Sequence, residues 1–293
     1  MNCLKLLKTL SFFFILGLCL AACQSNKKDK IDLKLNFQPG DKYQYTTSIE
    51  QDITTMGFAH IKLNFTIDLI YEMYPKENGL QKLGVTYDHL ALQGSSPQGP
   101  VSYDSKNPDQ SSTVSEMGKI VGKTFYAYLN PDGTLQKVEG LSALMDTTLG
   151  RSLAKGPLTD SSFTMMMRNA FDMYPGKPVA VGESWQKTTS MDLSSFKFNM
   201  HNTYTLKSVQ DGIANISVTS DLKLPETEIN TPNDFKPKME MSGRQEGSMK
   251  VNIATGQIIS GTTTQNIEGK MTAAGQEIPM TIKSTIQTKS KKI

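Results

Sequence analysis

Apolar and polar residues alternate with period two over long stretches of this chain. The clearest run is Ile61, Leu63, Phe65, Ile67, Leu69, Tyr71 and Met73, interleaved with Lys62, Asn64, Thr66, Asp68, Ile70 and Glu72. Such alternation predicts a half-buried strand with one polar face. At ~3.3 Å per residue it spans roughly 40 Å, a length that suits a strongly twisted or curved sheet. Tyr43 to Ile53 alternates too. Asn78-Gly79 turns the chain and Leu80 to Leu92 returns, with a slip between His89 and Leu90 that reads as a bulge. Residues 94–112 read as loop with a short edge strand at Val101–Asp104. Phe125–Leu129 and Leu135–Val138 flank Asn130-Pro131-Asp132-Gly133 and predict a hairpin.

The same grammar resumes after Pro178. Phe196, Phe198, Met200, Tyr204 and Leu206 alternate, Asp211-Gly212 turns the chain, and Ile216, Val218, Leu222 and Leu224 alternate again. Residues 225–238 read as a long loop. Met249, Val251 and Ile253 lead through Thr255-Gly256 to Ile258 in another hairpin. Ile278, Met280, Ile282 and Ile286 form a last strand, with Lys289 to Ile293 as a frayed tail.

Between these runs the period changes to that of a helix. Leu141, Leu144, Met145, Leu149 and Leu153 predict one helix, stopped at Gly156-Pro157. Asp160 is placed to cap a second, whose stripe of Phe163, Met166, Met167, Ala170, Met173 and Tyr174 ends at Pro175-Gly176. The stripe reads first as packing against the sheet. A sharper reading makes Phe163, Met166, Met167, Ala170 and Met173 a soft ligand lining. The expected fold is therefore β-rich α+β, with long curved antiparallel sheets and two central helices packed on the sheet.

The two β stretches can be laid on each other. Gly40-Asp41-Lys42-Tyr43-Gln44 matches Gly182-Glu183-Ser184-Trp185-Gln186, and Thr46-Thr47-Ser48 matches Thr188-Thr189-Ser190. Asn78-Gly79 then matches Asp211-Gly212, and the hairpin at Gly133 matches that at Gly256. A diverged internal duplication explains the preserved order; the reuse of strand-turn grammar common to β-proteins is the alternative. The organisation expected is residues 1–22 as signal peptide, 23–35 as polar tether, 36–140 as first β half, 141–175 as helical segment and 176–293 as second β half.

The first segment is an address. Lys5 and Lys8 precede the apolar run Leu10–Leu20, which ends in Ala21-Ala22-Cys23. The run falls short of the roughly 20 residues of a membrane span and reads as a secretory signal. Leu20-Ala21-Ala22-Cys23 resembles the lipobox of bacterial lipoproteins. The resemblance implies cleavage between Ala22 and Cys23, acylation of Cys23, and anchoring by several acyl chains. Cys3 and Cys19 would leave with the signal, so the mature chain would have no disulfide and no Cys ligand. Gln24 in place of Asp implies, by resemblance to enteric lipoproteins, the outer membrane. Surface-exposed lipoproteins of Bacteroidota often carry an acidic run after the Cys. Here Lys27-Lys28-Asp29-Lys30 follows, which favours a periplasm-facing position.

Composition narrows the function classes. The 293 residues carry 31 basic and 28 acidic side chains, too even a balance for a nucleic-acid partner. The 12 Phe, 10 Tyr and 16 Met supply a core. His60, His89 and His201 stand at no metal-ligating spacing, so no metal or other cofactor is expected. There is no Walker loop, dinucleotide fingerprint or nucleophile elbow. Ser152-Leu-Ala-Lys155 lacks its partner motifs, and Glu226 and Glu228 lie in a charged stretch where solvation is the default. No catalytic residue is assigned and no enzyme is expected.

The Gly-acid-x-aromatic entry, the long strands and the lipobox resemble a family of uncharacterised exported lipoproteins of Bacteroidota. A looser architectural resemblance is to carriers of the LolA and LppX type, which hold acyl chains between a concave sheet and helices. Together they imply an envelope lipoprotein, membrane-bound through Cys23, that binds a hydrophobic or amphipathic ligand between sheet and helices. The alternative is a structural lipoprotein that binds an envelope protein and no small ligand.

Overall fold

In the computed structural model, the described residues are 29–55, 59–97, 99–107, 115–130, 132–140, 164, 168, 171–193, 196–228 and 236–293. The chain divides into two compact units, residues 1–30 and 31–293. Everything below concerns the second unless stated. The signal peptide, Ala22 and Cys23 lie outside the described residues.

Strands dominate. In chain order they are β1 (Lys30–Ile31), β2 (Lys42–Thr55), β3 (Ala59–Glu77), β4 (Leu80–Ser96), β5 (Gly99–Asp104), β6 (Thr124–Leu129), β7 (Leu135–Glu139), β8 (Val179–Ala180), β9 (Ser184–Leu193), β10 (Phe196–Gln210), β11 (Ile213–Glu228), β12 (Lys238–Asn252), β13 (Ile258–Ala273) and β14 (Gln276–Lys292). A 3₁₀ helix covers Ser115–Ile120. β1 and β8 form a small sheet. The others form one twelve-stranded antiparallel sheet in the order β7-β6-β4-β3-β2-β14-β13-β12-β11-β10-β9, with β5 added on β4.

Two expectations are corrected here. The α+β architecture with central helices packed on the sheet gives way to a nearly all-β chain. Helical spacing reports the amphipathicity of a segment; whether the segment covers a sheet is decided by contacts the pattern does not contain. Residues 141–163 lie outside the described residues. Of the expected second helix, Thr164, Arg168 and Phe171 are described as helical, and Asp172 N–H donates to Arg168 O at 3.0 Å. The long sheets expected from the two halves are also one: β2 pairs with β14 from Tyr43↔Lys292 to Thr55↔Met280, which joins the halves edge to edge. This pairing orders the expected frayed tail as well, and Ile293 N–H donates to Lys42 O.

Register gives the sheet an inner and an outer face. The inner face is filled at one end, called basal below. Leu33, Leu35 and Phe37, assigned to tether and strand entry by sequence, are buried there beside Phe171, Met173, Tyr174 and Val179. Around this plug stand Tyr43, Tyr45, Met73, Leu83, Val85, Phe125 and Leu129 from one wing and Trp185, Leu206, Ala214, Ile216 and Val251 from the other. Each such burial contributes about 1.5–3 kcal/mol, so the plug is the main apolar stabilisation of the fold. Tyr174 donates its hydroxyl to Gly256 O at 2.7 Å, and Trp185 Nε1 donates to Met173 O at 2.8 Å.

Both halves enter the sheet through the same hydrogen-bond frame. Gly40 N–H donates to Met73 O at 2.8 Å, and Met73 N–H donates back to Asp41 O at 2.9 Å. Gly182 N–H donates to Leu206 O at 2.7 Å, and Leu206 N–H to Glu183 O at 3.1 Å. The acid folds back on the residue three before it: Asp41 Oδ2 accepts Gln38 N–H, and Glu183 Oε2 accepts Ala180 N–H. Gly40 and Gly182 have φ of 88° and 90°, where a side chain is strained.

Three outcomes follow for stability. A Cβ on Gly40 meets nothing, so Gly40→Ala should cost about 1–2 kcal/mol through its positive φ alone. A Cβ on Gly256, at φ 72°, would run into the Lys34 carbonyl beside Leu35, so Gly256→Ala should lower the urea midpoint clearly further. Desolvation pushes the Tyr71 and Tyr204 hydroxyls up to about 12, above the ordinary value near ~10. Their contribution is fully present below pH ~10 and is lost as pH rises toward ~12, because the unfolded chain ionises first. Denaturant titrations across that window should show the fall, and Tyr71→Phe should reduce it.

Candidate functional site

Above the plug the inner face changes character. Cross-strand register places Gln51, Ser284, Gln265, Gln245, Ser220 and Asn202 side by side on β2, β14, β13, β12, β11 and β10. Gln51 Nε2 donates to Ser284 Oγ at 3.4 Å. Gln265 Nε2 donates to Gln245 Oε1 at 2.6 Å, and Gln245 Nε2 reaches Ser220 Oγ at 3.5 Å. Ser220 donates to Asn202 Oδ1 at 2.6 Å, and Asn202 Nδ2 donates to Thr189 Oγ1 at 2.8 Å. Ser220, Asn202 and Ser284 are 2%, 3% and 5% exposed, so these bonds replace water that burial has removed. The three glutamines are half-buried.

Beyond this polar row, toward the distal end, the wall is apolar again. One cross-strand row reads Ile53, Ile282, Ile267, Gly243, Leu222, Met200; the next reads Thr55, Met280, Gly269, Met241, Leu224. Met271 faces Met239 above them. Met241 is buried at 9% exposure, while Met200, Met239, Met271 and Met280 are only half-buried. Glycines let the strands of the wall come close together. A Cβ on Gly243 would sit 2.8 Å from Ile267 Cα, and one on Gly247 3.0 Å from Thr263 Cα, so neighbouring strands approach more closely than a side chain allows. On the other wing, the 3₁₀ segment packs Ile120 against Leu90, Leu92 and Tyr103.

The outer face is the charged one. At the β4 bulge, His89 lies between two carboxylates, Nδ1 at 3.2 Å from Asp68 Oδ2 and Nε2 at 2.9 Å from Asp104 Oδ1. Thr46 donates its hydroxyl to Asp68 Oδ1 at 2.6 Å. The Lys106 backbone N–H and the His89 ring hold the Asp104 carboxyl below the usual carboxylate range. This cluster ties β2, β3, β4 and the turn after β5 together, with both imidazole nitrogens placed against carboxylates. His60 pairs with Asp52 at 2.8 Å and His201 Nδ1 lies 3.2 Å from Thr188 Oγ1, both exposed. Glu226 and Glu228 pair with Lys238 and Lys236. Among the described residues no group of His, Cys, Asp and Glu could hold a metal ion. An outer groove of about 560 Å³ is lined by Glu50, Asp52, Lys62, Asn64 and Lys283 among others, a mixed-charge surface unsuited to apolar matter.

Residues 78–258 match a family of unknown function, DUF6263. The chain belongs to that family. No curated protein matches it in sequence. Among solved structures, lipovitellin, described under lipid–protein interactions, matches with a TM-score of 0.53 and 10% identity over 87% of this chain and 25% of that one. This chain thus spans a quarter of lipovitellin's length, and the likeness is one of fold. The β domain of the Bordetella autotransporter BrkA gives a TM-score of 0.25 at 9% identity over 87% of this chain and 100% of that one. An outer membrane channel from Pseudomonas putida F1 gives 0.22 at 7% over 91% and 98%.

Of the expected ligand-lining residues, Met173 is in the plug, 6% exposed. Phe163, Met166, Met167 and Ala170 lie outside the described residues. Trp185, the single Trp, stacks on Tyr204 at 5.5 Å in the core. The polar row escaped sequence reading because its members sit on six strands far apart in the chain. Each looks like an ordinary polar interruption; only register aligns them. Ser220→Ala should strand the buried Asn202 Oδ1 and cost about 1–3 kcal/mol in denaturant unfolding. Combining it with Asn202→Leu should cost less than the sum of the two single changes, because both unpaired partners are then gone.

Proposed function

We propose that this protein is a cell-envelope lipoprotein, anchored through acyl chains on Cys23, that holds an acyl-chain ligand on the distal inner wall. The observation that carries the reading is that wall: a methionine-rich apolar surface above a polar row, in which Met200, Met239, Met271 and Met280 stay half-buried while the basal apolar surface is filled. Water against such a surface is unfavourable by ~25 cal/mol per Å², and thioether side chains adapt to chains of varied length. The lipovitellin fold likeness adds support, since that protein is described by its lipid–protein interactions. The ligand position differs from the sequence expectation, because the sheet itself supplies the methionines.

The Leu20–Cys23 resemblance supports the anchor, and Gln24 followed by a basic run supports a periplasm-facing place on the outer membrane. Membrane and acyl ligand are then the partners, with no nucleic acid and no catalysis.

Two measurements test this. Intact-mass analysis of the membrane-extracted chain should show loss of residues 1–22 and added acyl mass on Cys23, both absent from Cys23→Ala. Native mass spectrometry of residues 24–293 should show a stoichiometric lipid-sized adduct, removed by organic extraction. A chain that remains at its bare mass after incubation with envelope lipids overturns ligand binding and leaves the protein-interaction reading.

A further inference from the structure

The polar row also bears on which acyl lipid would fit; this step rests on the reading above and adds the chemistry of the headgroup. Across β2, β3 and β9–β14 the inner face is almost without charge. Register places Lys187 and Lys292 on that phase, and each is committed, Lys187 to Asp172 at 2.6 Å and Lys292 to Asp41. Lys292 lies at the basal end, whereas Lys187 is the register partner of Asn202 and stands at the β9 edge of the polar row, its charge taken up by Asp172. The outer phase of the same strands carries Glu50, Asp52, Lys62, Lys238, Glu240, Arg244, Glu246, Glu268, Lys270 and Lys283. The segregation is chemical as well as apolar: ions on one face, amides and hydroxyls on the other.

The row bordering the methionine wall is built to present neutral hydrogen-bonding groups. Gln51 is braced on buried Ser284, and Gln245 on buried Ser220, which is itself held by buried Asn202. Gln265 is held by Gln245. Between the two braced groups, Gln265 and Ser284 are register partners whose side chains no hydrogen bond joins among the described residues. That gap lies in the middle of the sheet, directly below Ile267 and Ile282. Amide N–H and hydroxyl groups there match ester carbonyls and a free hydroxyl.

We infer that the site selects an uncharged glyceride, with its acyl chains along Met200, Met239, Met241, Met271 and Met280 and its ester and hydroxyl groups at Gln51, Gln245 and Gln265. A phosphate headgroup at Gln51, Gln245 and Gln265 would lose water, and the cation that register places in this row, Lys187 at its β9 edge, is already paired with Asp172. An anionic phospholipid is therefore rejected by the row even though its chains fit the wall.

The test uses the full acylated chain in neutral detergent micelles. Three photoactivatable diazirine probes are compared: a diacylglycerol, a phosphatidylglycerol with the same acyl chains, and a long-chain alkane. Labelling of peptides from β10, β12, β13 and β14 is read against probe mole fraction. The diacylglycerol should reach half-labelling at a mole fraction at least about tenfold lower than phosphatidylglycerol, as expected for loss of one to two hydrogen bonds plus an unpaired charge. Gln245→Leu with Gln265→Leu should weaken diacylglycerol labelling about tenfold and leave alkane labelling unchanged. Equal labelling by both lipids, or preference for phosphatidylglycerol, overturns the headgroup assignment while the acyl-binding reading stands. Failure of all three probes to label the wall overturns both. The headgroup comparison on the unaltered chain decides the matter even where the double substitution does not fold.

Discussion

A single-layer sheet has two faces and only one chain with which to cover them. Everything else in this fold follows from that constraint. Strands of 14 to 19 residues in β2 and β3 create more apolar inner face than one end can bury. The plug of Leu33, Leu35, Phe37, Phe171, Met173 and Tyr174 fills the basal end, and it binds the two wings because its residues touch both. Gly133 and Gly256, at the tips of hairpins from opposite halves, both abut Leu35. Both take positive φ; a Cβ on Gly256 would run into the Lys34 carbonyl, whereas one on Gly133 would only touch Leu35.

The polar row marks where filling stops. Its hydrogen bonds run across strands, so each residue has a partner on a neighbouring strand of the same sheet. Buried polar groups without charge carry a smaller desolvation penalty than ions, and a row of amides and hydroxyls can sit half-exposed where a row of carboxylates could not. Beyond it Met200, Met239, Met271, Met280, Ile53, Ile267 and Ile282 stay half-buried, while Met241 and Leu224 are buried. Gly243, Gly247 and Gly269, at inner-face positions, let adjacent strands approach more closely than a side chain would allow.

The outer face answers a different need. A long exposed sheet with alternating charges resists pairing with other chains. Asp68, buried at 7% exposure on this face, is tolerated because Thr46 and His89 satisfy it. The β4 bulge that brings His89 to Asp104 is the phase slip visible in the sequence, with Asp88 as the extra residue between Tyr87 and His89.

Period-two alternation marked β2, β3, β4, β10, most of β11 and β14, with Asn78-Gly79, Asp211-Gly212 and Thr255-Gly256 as turns, while β9 and the part of β12 before Met249 went unread and the end of β11 passed for loop. The matched Gly-acid-x-aromatic frames at Gly40 and Gly182 were visible as residues before their identical hydrogen bonding was. These are local properties: side-chain direction along a strand, and the few residues that accept positive φ. Three things were not legible. Helical spacing over 141–175 did not reveal whether that segment covers the sheet. The brief alternation Ile31, Leu33, Leu35, Phe37, flanked by lysines and aspartates, passed for a tether although it supplies the plug. The polar row and the methionine wall exist only through register among six strands. Sequence alone determined that this chain would make long, one-sided strands and where they would reverse. Tertiary structure decided that they join into one curved sheet, because the pairing of β2 with β14 and the packing of both wings on the plug are contacts between residues hundreds of positions apart.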